Sequence, residues 1–293
     1  TYKLDGVTKT YSQYTSGFSS ATTRQLIITV AASAPTLYYN CSVHSGMGGA
    51  INTNSTFGSS NFSGSIQSTV SVNATAGFSI VKWTGNAVTG ATIGHGLGVK
   101  PAAIILKNLG PDVASWPIYH HKLGATKYLD LSGSGAASTS NTRWNDTEPS
   151  TSVFTTGSSG DVKGDSSGEP FIAYCFSQVN GFSKFGLYEG NNNANGSFVY
   201  TGFKPQFVMI KHDGSSNWTI NDSVRDTKNP NSARLFPNQD VAESTGSDSM
   251  DLYSNGFKLK STDGGNNGAG DSYYYFAFGQ PLVGSNNVPA TAF

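Results

Sequence analysis

Charge is scarce in this chain of 293 residues. Lysine and arginine total 18, aspartate and glutamate total 18, and charged residues make up 12% of the sequence, about half the usual globular share. Without a basic stripe there is little to release counterions from a phosphate backbone, which argues against a nucleic-acid binder. Cysteine is nearly absent: Cys41 and Cys175 stand far apart, which excludes a disulfide framework and leaves the redox compartment open. No apolar run approaches the roughly 20 residues of a membrane span. Ala102–Leu106 is typical of the longest runs, so no span is expected. No stretch carries a convincing helical period, and no signal peptide is visible after Thr1. An upstream part is expected to have been removed or not shown.

Glycine (35 residues) and aromatic residues (12%, with 14 Tyr and 17 Phe) are abundant instead. Ser, Thr and Asn supply most of the polarity. That is too much aromatic material for a disordered chain and too little Leu, Glu, Lys and Ala for a helical one. Short runs rich in β-branched and aromatic residues are bounded by Gly, Asn, Ser or Pro. Examples are Gln25–Val30, Thr36–Cys41, Gly77–Trp83, Ala102–Lys107, Pro170–Phe176, Gln206–Lys211 and Ser272–Phe278. They predict an all-β fold of sandwiches or barrels.

The organisation is dominated by an internal repeat. Gly77-Phe78-Ser79 recurs as Gly181-Phe182-Ser183, Lys100-Pro101 as Lys204-Pro205, and Lys107 as Lys211, all at an offset of 104. Phe154 then lines up with Phe257 and Phe171–Phe176 with Tyr273–Phe278, at offsets of 103 and 102. Residues 77–180 and 181–284 are therefore expected to be two copies of one module, each a β-sandwich of jelly-roll-like type. Residues 1–50 form a separate β-region, 51–76 read as a polar connector, and 285–293 as a tail.

The blocks GSFVYTGFKPQFVMIK, NWTINDSVRD and GDSYYYFAF of the second copy, with KPAAIILKN, SWPIYHHKLG and GEPFIAYCF of the first, resemble a repeat module of tailed-bacteriophage structural proteins, many of them marine. The resemblance covers roughly residues 77–284. It implies a virion location and a structural, adhesive role as a tail fibre, appendage or decoration subunit. The implied partners are other virion proteins, further copies of the chain (a homotrimer) and a host-surface glycan. No catalysis is expected.

One segment has metal-ligand spacing. After the run ending at Asn40 come Cys41, His44 and Met47 in Cys-x2-His-x2-Met order, closed by Gly48-Gly49. A thiolate, an imidazole and a thioether form a soft set suited to copper. Residues 1–50 resemble the C-terminal part of a cupredoxin-like domain, which implies a copper site at those three residues. Such a site needs a second histidine from an earlier strand, and none lies between Thr1 and Asn40. The other reading makes Cys41 a small buried apolar residue and Met47 core, with the glycines forming a turn. No cofactor is expected; a secreted cupredoxin-like copper protein is the alternative.

The remaining candidates read as structure. Gly164–Pro170 has a protease-like Asp-Ser pair, and His120 or His121, Asp130 and Ser166 stand in His-Asp-Ser order. Ser167 replaces the glycine that such a loop requires, so a turn before a strand is expected. His120-His121 are neighbours that a strand would point to opposite faces, expected at a surface or edge. Asp240, Glu243, Asp248 and Asp251 are irregularly spaced for calcium and read as a solvated acidic loop. Trp116 and Trp218 occupy matching places. Exposed Trp and Tyr among Asn and Asp suit sugar binding, but a repeated Trp reads first as core.

Overall fold

The computed structural model describes residues 2–26, 37–40, 48–51, 58–111, 115–246 and 249–281. The chain divides into two compact units, Thr1–Ser59 and Ser60–Phe293.

In the first unit β1 (Tyr2–Leu4) turns through Asp5 and Gly6, both at positive φ, into β2 (Val7–Lys9). The Asp5 carboxylate accepts from the Thr22 and Thr23 amides at 2.9 and 2.7 Å, which ties the chain back toward β3 (Arg24–Leu26) and gives the antiparallel order β2-β1-β3. Between them lies α1 (Tyr11–Gly17), an element with no apolar period to announce it. Local chemistry makes it: Thr10 and Gln13 form a reciprocal capping box, and Tyr11 and Tyr14 pack on Tyr2 with ring centroids 5.6 and 5.1 Å apart. Further on, β4 (Leu37–Asn40) pairs antiparallel with β5 (Gly48–Ile51), Asn40 opposite Gly48.

The second unit has two halves, each built around one larger and one smaller sheet. Its first half runs β6 (Ser59–Asn61), β7 (Ser68–Asn73), β8 (Phe78–Thr84), β9 (Thr92–Gly94), β10 (Ala103–Asn108), β11 (Pro117–His120), β12 (Lys127–Asp130), β13 (Ser138–Thr139), α2 (Asn141–Trp144), β14 (Val153–Thr155), α3 (Gly160–Lys163) and β15 (Pro170–Phe176). The second half runs β16 (Ser183–Glu189), β17 (Phe198–Tyr200), β18 (Phe203–His212), β19 (Thr219–Asp222), β20 (Met250–Tyr253), β21 (Gly256–Leu259), α4 (Gly264–Asn267) and β22 (Ser272–Pro281). The larger sheets are ordered β13-β12-β11-β10-β15-β8-β7-β6 and β16-β22-β18-β19; the smaller are β14-β9 and β17-β21-β20. The all-β expectation holds. Residues 59–73, read from composition as connector, differ: β6 and β7 extend the first large sheet, with Ser68 and Val70 buried and the alternate residues Thr69 and Ser71 half-buried.

Register fixes which residues are equivalent. In the first half Trp83 stacks on Phe171 (5.2 Å, 11°) and meets Phe154 edge-on (5.6 Å, 71°). In the second, Tyr188 stacks on Tyr273 (5.1 Å, 15°) and meets Phe257 edge-on (6.0 Å, 82°). Phe78 lies opposite Phe176 and Ser183 opposite Phe278, so in space Phe78 corresponds to Ser183, one residue beyond the Gly-Phe-Ser match read from sequence.

Three cores follow. One face of the first large sheet packs under β9, β14, α2 and α3, with Val81, Trp83, Ile104, Phe154, Phe171 and Cys175 buried. One face of the second packs on β17, β21 and β20 around Tyr188, Val208, Phe257 and Tyr275. The third joins the halves: Ala103, Ile118 and Leu129 meet Phe185, Met209, Trp218, Tyr274 and Phe276. The halves therefore stack sheet to sheet, with buried aromatics supplying the area; removing one such side chain typically costs about 3–5 kcal/mol. Main-chain bonds cross the same boundary, Ala137 N–H to Asp213 C=O and Ser216 N–H to Ser134 C=O, both 2.8 Å.

Candidate functional site

A groove of about 500 Å³ opens where the halves meet. Trp116, Leu131 and Ser132 come from the first half; Asn238, Gln239 and Asp240 come from the second. The Asp130 carboxylate sets the first wall by accepting from the amides of Trp116 (3.1 Å) and Ser132 (2.9 Å) and from the Ser132 hydroxyl (2.7 Å). The Asp130 carbonyl accepts from Trp218 Nε1 at 2.8 Å, which pins the second half to the same residue. Asn238 is held by the Trp218 amide (3.0 Å, to Oδ1) and by its own donation to Asn217 Oδ1 (2.9 Å). The two repeated tryptophans have thus parted: Trp218 is fully buried in the joint, while Trp116 is half-buried at the groove, with Lys107 Nζ 5.5 Å from its ring centroid. An aromatic face beside amides, a hydroxyl and one carboxylate suits a hydroxyl-rich ligand.

Residues 51–281 match the family model described as "Domain of unknown function (DUF7483)". The chain belongs to the DUF7483 family. No curated protein and no solved structure matches it. The matched span takes in β6 and β7 together with both halves of the second unit.

Within the DUF7483 span the histidine pair corrects the sequence reading. His120 is fully buried in the joint between halves, not at a surface or edge. Its ring packs against Tyr274 and Phe276, each 5.3 Å away, its Nε2 donates to the Tyr275 carbonyl at 3.4 Å, and its Nδ1 accepts from the Lys122 amide at 3.2 Å. Burial, helped by His121 and Lys122, pushes its pKa down to about 3, so it stays neutral. His121 lies just past the end of β11, and its Nε2 donates to the Phe185 carbonyl at 2.7 Å; burial lowers its pKa as well. The partners that bury both rings stand more than 60 residues away in sequence, beyond any local signal.

No His-Asp-Ser relay forms. Both imidazoles are spent on second-half carbonyls and Asp130 on the groove wall. Gly164–Pro170 is a turn closed by the Glu169 carboxylate, which accepts from the Asp165 and Ser166 amides (2.9 and 2.8 Å) and from Asn108 Nδ2 (2.6 Å). The Asn108 bond leads the effects that lower its pKa. The acidic residues disperse: Glu243 pairs with Arg225, Asp251 accepts from Tyr253, and Asp240 borders the groove. Among the described residues no three His, Cys, Asp or Glu side chains gather as a metal site. Cys41, His44 and Met47, and also Asp248, lie outside the described residues. No helix among those described is long and apolar enough to cross a membrane. Sequence reading missed Gln239 and Asn238, whose segment has no counterpart in the first half's repeat blocks.

Proposed function

We propose that this chain is a structural and adhesive component of a bacteriophage virion, a fibre, appendage or decoration subunit whose second unit contacts a host-surface glycan. The observation that carries the contact is the groove at Trp116, an aromatic face flanked by Gln239, Asp240 and Ser132 and built by both halves. A stacked pair of sheets with three cores supports a load-bearing role, since shear at the joint must break buried aromatic contacts. Other virion proteins and further copies of the chain are the remaining partners of this reading, and it invokes no cofactor and no catalytic step. The test is quantitative mass spectrometry of gradient-purified particles with a glycan array in parallel. A fixed ratio to the major capsid protein, with neutral-glycan binding lost in Trp116→Ala, is expected. Protein free in the medium and absent from particles would sink the virion role, and neutral-glycan binding indifferent to Trp116→Ala would sink the groove.

A further inference from the structure

A second cleft, on the other side of the joint, differs in character from the Trp116 groove. It runs between the edge strands β16 and β17 and has two contiguous parts of about 420 and 410 Å³. In the first half the chain itself fills the equivalent space: β7 pairs along β8, and Ile66 and Gly64 bridge to Ile93 of β9. In the second half only six residues separate β15 from β16, and no strand occupies that place among the described residues. The walls have changed with it. Register makes Phe198 and Tyr200 the counterparts of Thr92 and Gly94. Both rings are exposed, 47% and 58%, where the first half has a threonine and a glycine at the equivalent positions.

The charge is one-sided. Lys122 and Lys184 line the cleft, and no carboxylate does. Lys184 is fixed, its Nζ donating to the Tyr200 carbonyl at 2.8 Å and lying 5.2 Å from the Tyr200 ring centroid. Lys122 is exposed beside it. Gln178 and Asn180 place amides on the rim. An open aromatic face, rim amides and two ammonium groups with no carboxylate in the lining make a surface for a ring that carries hydroxyls and a negative charge. The Trp116 groove has the opposite set, with Asp240 and no lysine or arginine among its lining residues.

We propose that the β16–β17 cleft binds an acidic saccharide, its ring on Tyr200 and its carboxylate or phosphate on Lys184 and Lys122. The site is separate from the Trp116 groove and takes a ligand of different charge. Calorimetric titration of the full chain with a tetragalacturonate and a phosphorylated tetrasaccharide, each beside its neutral parent, tests it. At least one acidic probe is expected to bind, more weakly as salt is raised, with Tyr200→Ala and Lys122→Ala each costing about tenfold or more and Trp116→Ala costing nothing. Both substitutions sit on the surface, and an unchanged melting transition verifies the fold. Binding no tighter than the neutral parents, binding by neither acidic probe, or binding that survives Tyr200→Ala and Lys122→Ala overturns the site. A poly-glutamate peptide binding as tightly overturns the saccharide class. Absence of the protein from particles would remove the virion role without moving these titration curves, so the two readings fail separately.

Discussion

In the second unit the four strands β8-β15-β10-β11 and the four strands β16-β22-β18-β19 have the same order, yet the two halves solve the same packing problem with different residues. Where Val81 faces Ala173 in the first half, Gly186 faces Tyr275 in the second. One bulky and one small residue are kept, but the bulk has crossed to the neighbouring strand, and a Cβ on Gly186 would run into the Tyr275 ring. Polarity has shifted too. Tyr119 and Val162 of the first core correspond by position to Asn221 and Asn266. The second interior answers with amides: Asn221 Nδ2 donates to Asn231 Oδ1 (2.8 Å), and Asn266 Nδ2 to the Ser249 hydroxyl (3.1 Å). A scaffold of this kind constrains total volume, not residue identity.

Swapping the solutions between halves breaks or sharpens that comparison. The largest effect is expected at the crossed bulk. Tyr275→Ala should cost about 3–5 kcal/mol and Gly186→Val about 1–3 kcal/mol or more. The double variant, which recreates the first half's pair, should recover part of the loss in a urea double-mutant cycle, with a coupling of about 1–3 kcal/mol. Strict additivity would show that the two positions do not share one volume.

Next comes the joint. His120 has its folded pKa depressed to about 3 against an ordinary value of 6.5. The unfolded chain therefore binds the proton first as pH falls. The stability contributed by the neutral ring is full above about pH 6.5 and drains toward pH 3, at roughly 1.4 kcal/mol per pH unit inside that window. Urea melts of wild type and His120→Gln should diverge across this window and run parallel above it. Parallel curves at every pH would refute burial of the ring.

Smaller still is the exchange of polarity. Val162→Asn places an amide in a core without partners and should cost roughly 3 kcal/mol. Asn266→Val removes an amide whose Oδ1 has no hydrogen-bond partner and should change stability by less than about 1 kcal/mol. Equal costs would mean that the two interiors are not different in kind. Smallest is the helix start shared by both halves. Ser159 caps α3 through the Asp161 amide, and Asp263 caps α4 through the Gly265 amide while also pairing with Arg234 at 2.6 Å. Ser159→Ala should cost about 1 kcal/mol in thermal melts and Asp263→Ala more.

Much of this scaffold was legible in one sequence. Pro170–Phe176 was bounded to the residue, Ser272–Phe278 and Ala102–Lys107 nearly so, because β-branched and aromatic runs between turn residues leave little else to form. The repeat offset also located the aromatic triads, since Phe154 and Phe171 matched Phe257 and Tyr273 directly. The Gly-Phe-Ser match failed by one residue because identity of letters is not identity of register; pairing with β15 and β22 decides that. Strand β7 was hidden by a face of Ser, Thr and Asn that composition alone assigns to a linker. Of the candidate features, the tryptophan repeat contains one residue that lines the groove, Trp116. What it could not supply was the partner wall, Asn238 to Asp240, or the fact that sheet packing buries one tryptophan and leaves the other half-open.

The edge of β16 has a further consequence. The backbone amide and carbonyl of Phe185, which would otherwise greet a neighbouring strand, are taken up by the Gln178 side chain (3.4 Å) and by His121 (2.7 Å). A molecule assembled from repeated sheets with a bare rim is a monomer waiting to polymerise. Here an amide and an imidazole act as chain terminators at the rung of Phe185, where a further strand would have to pair.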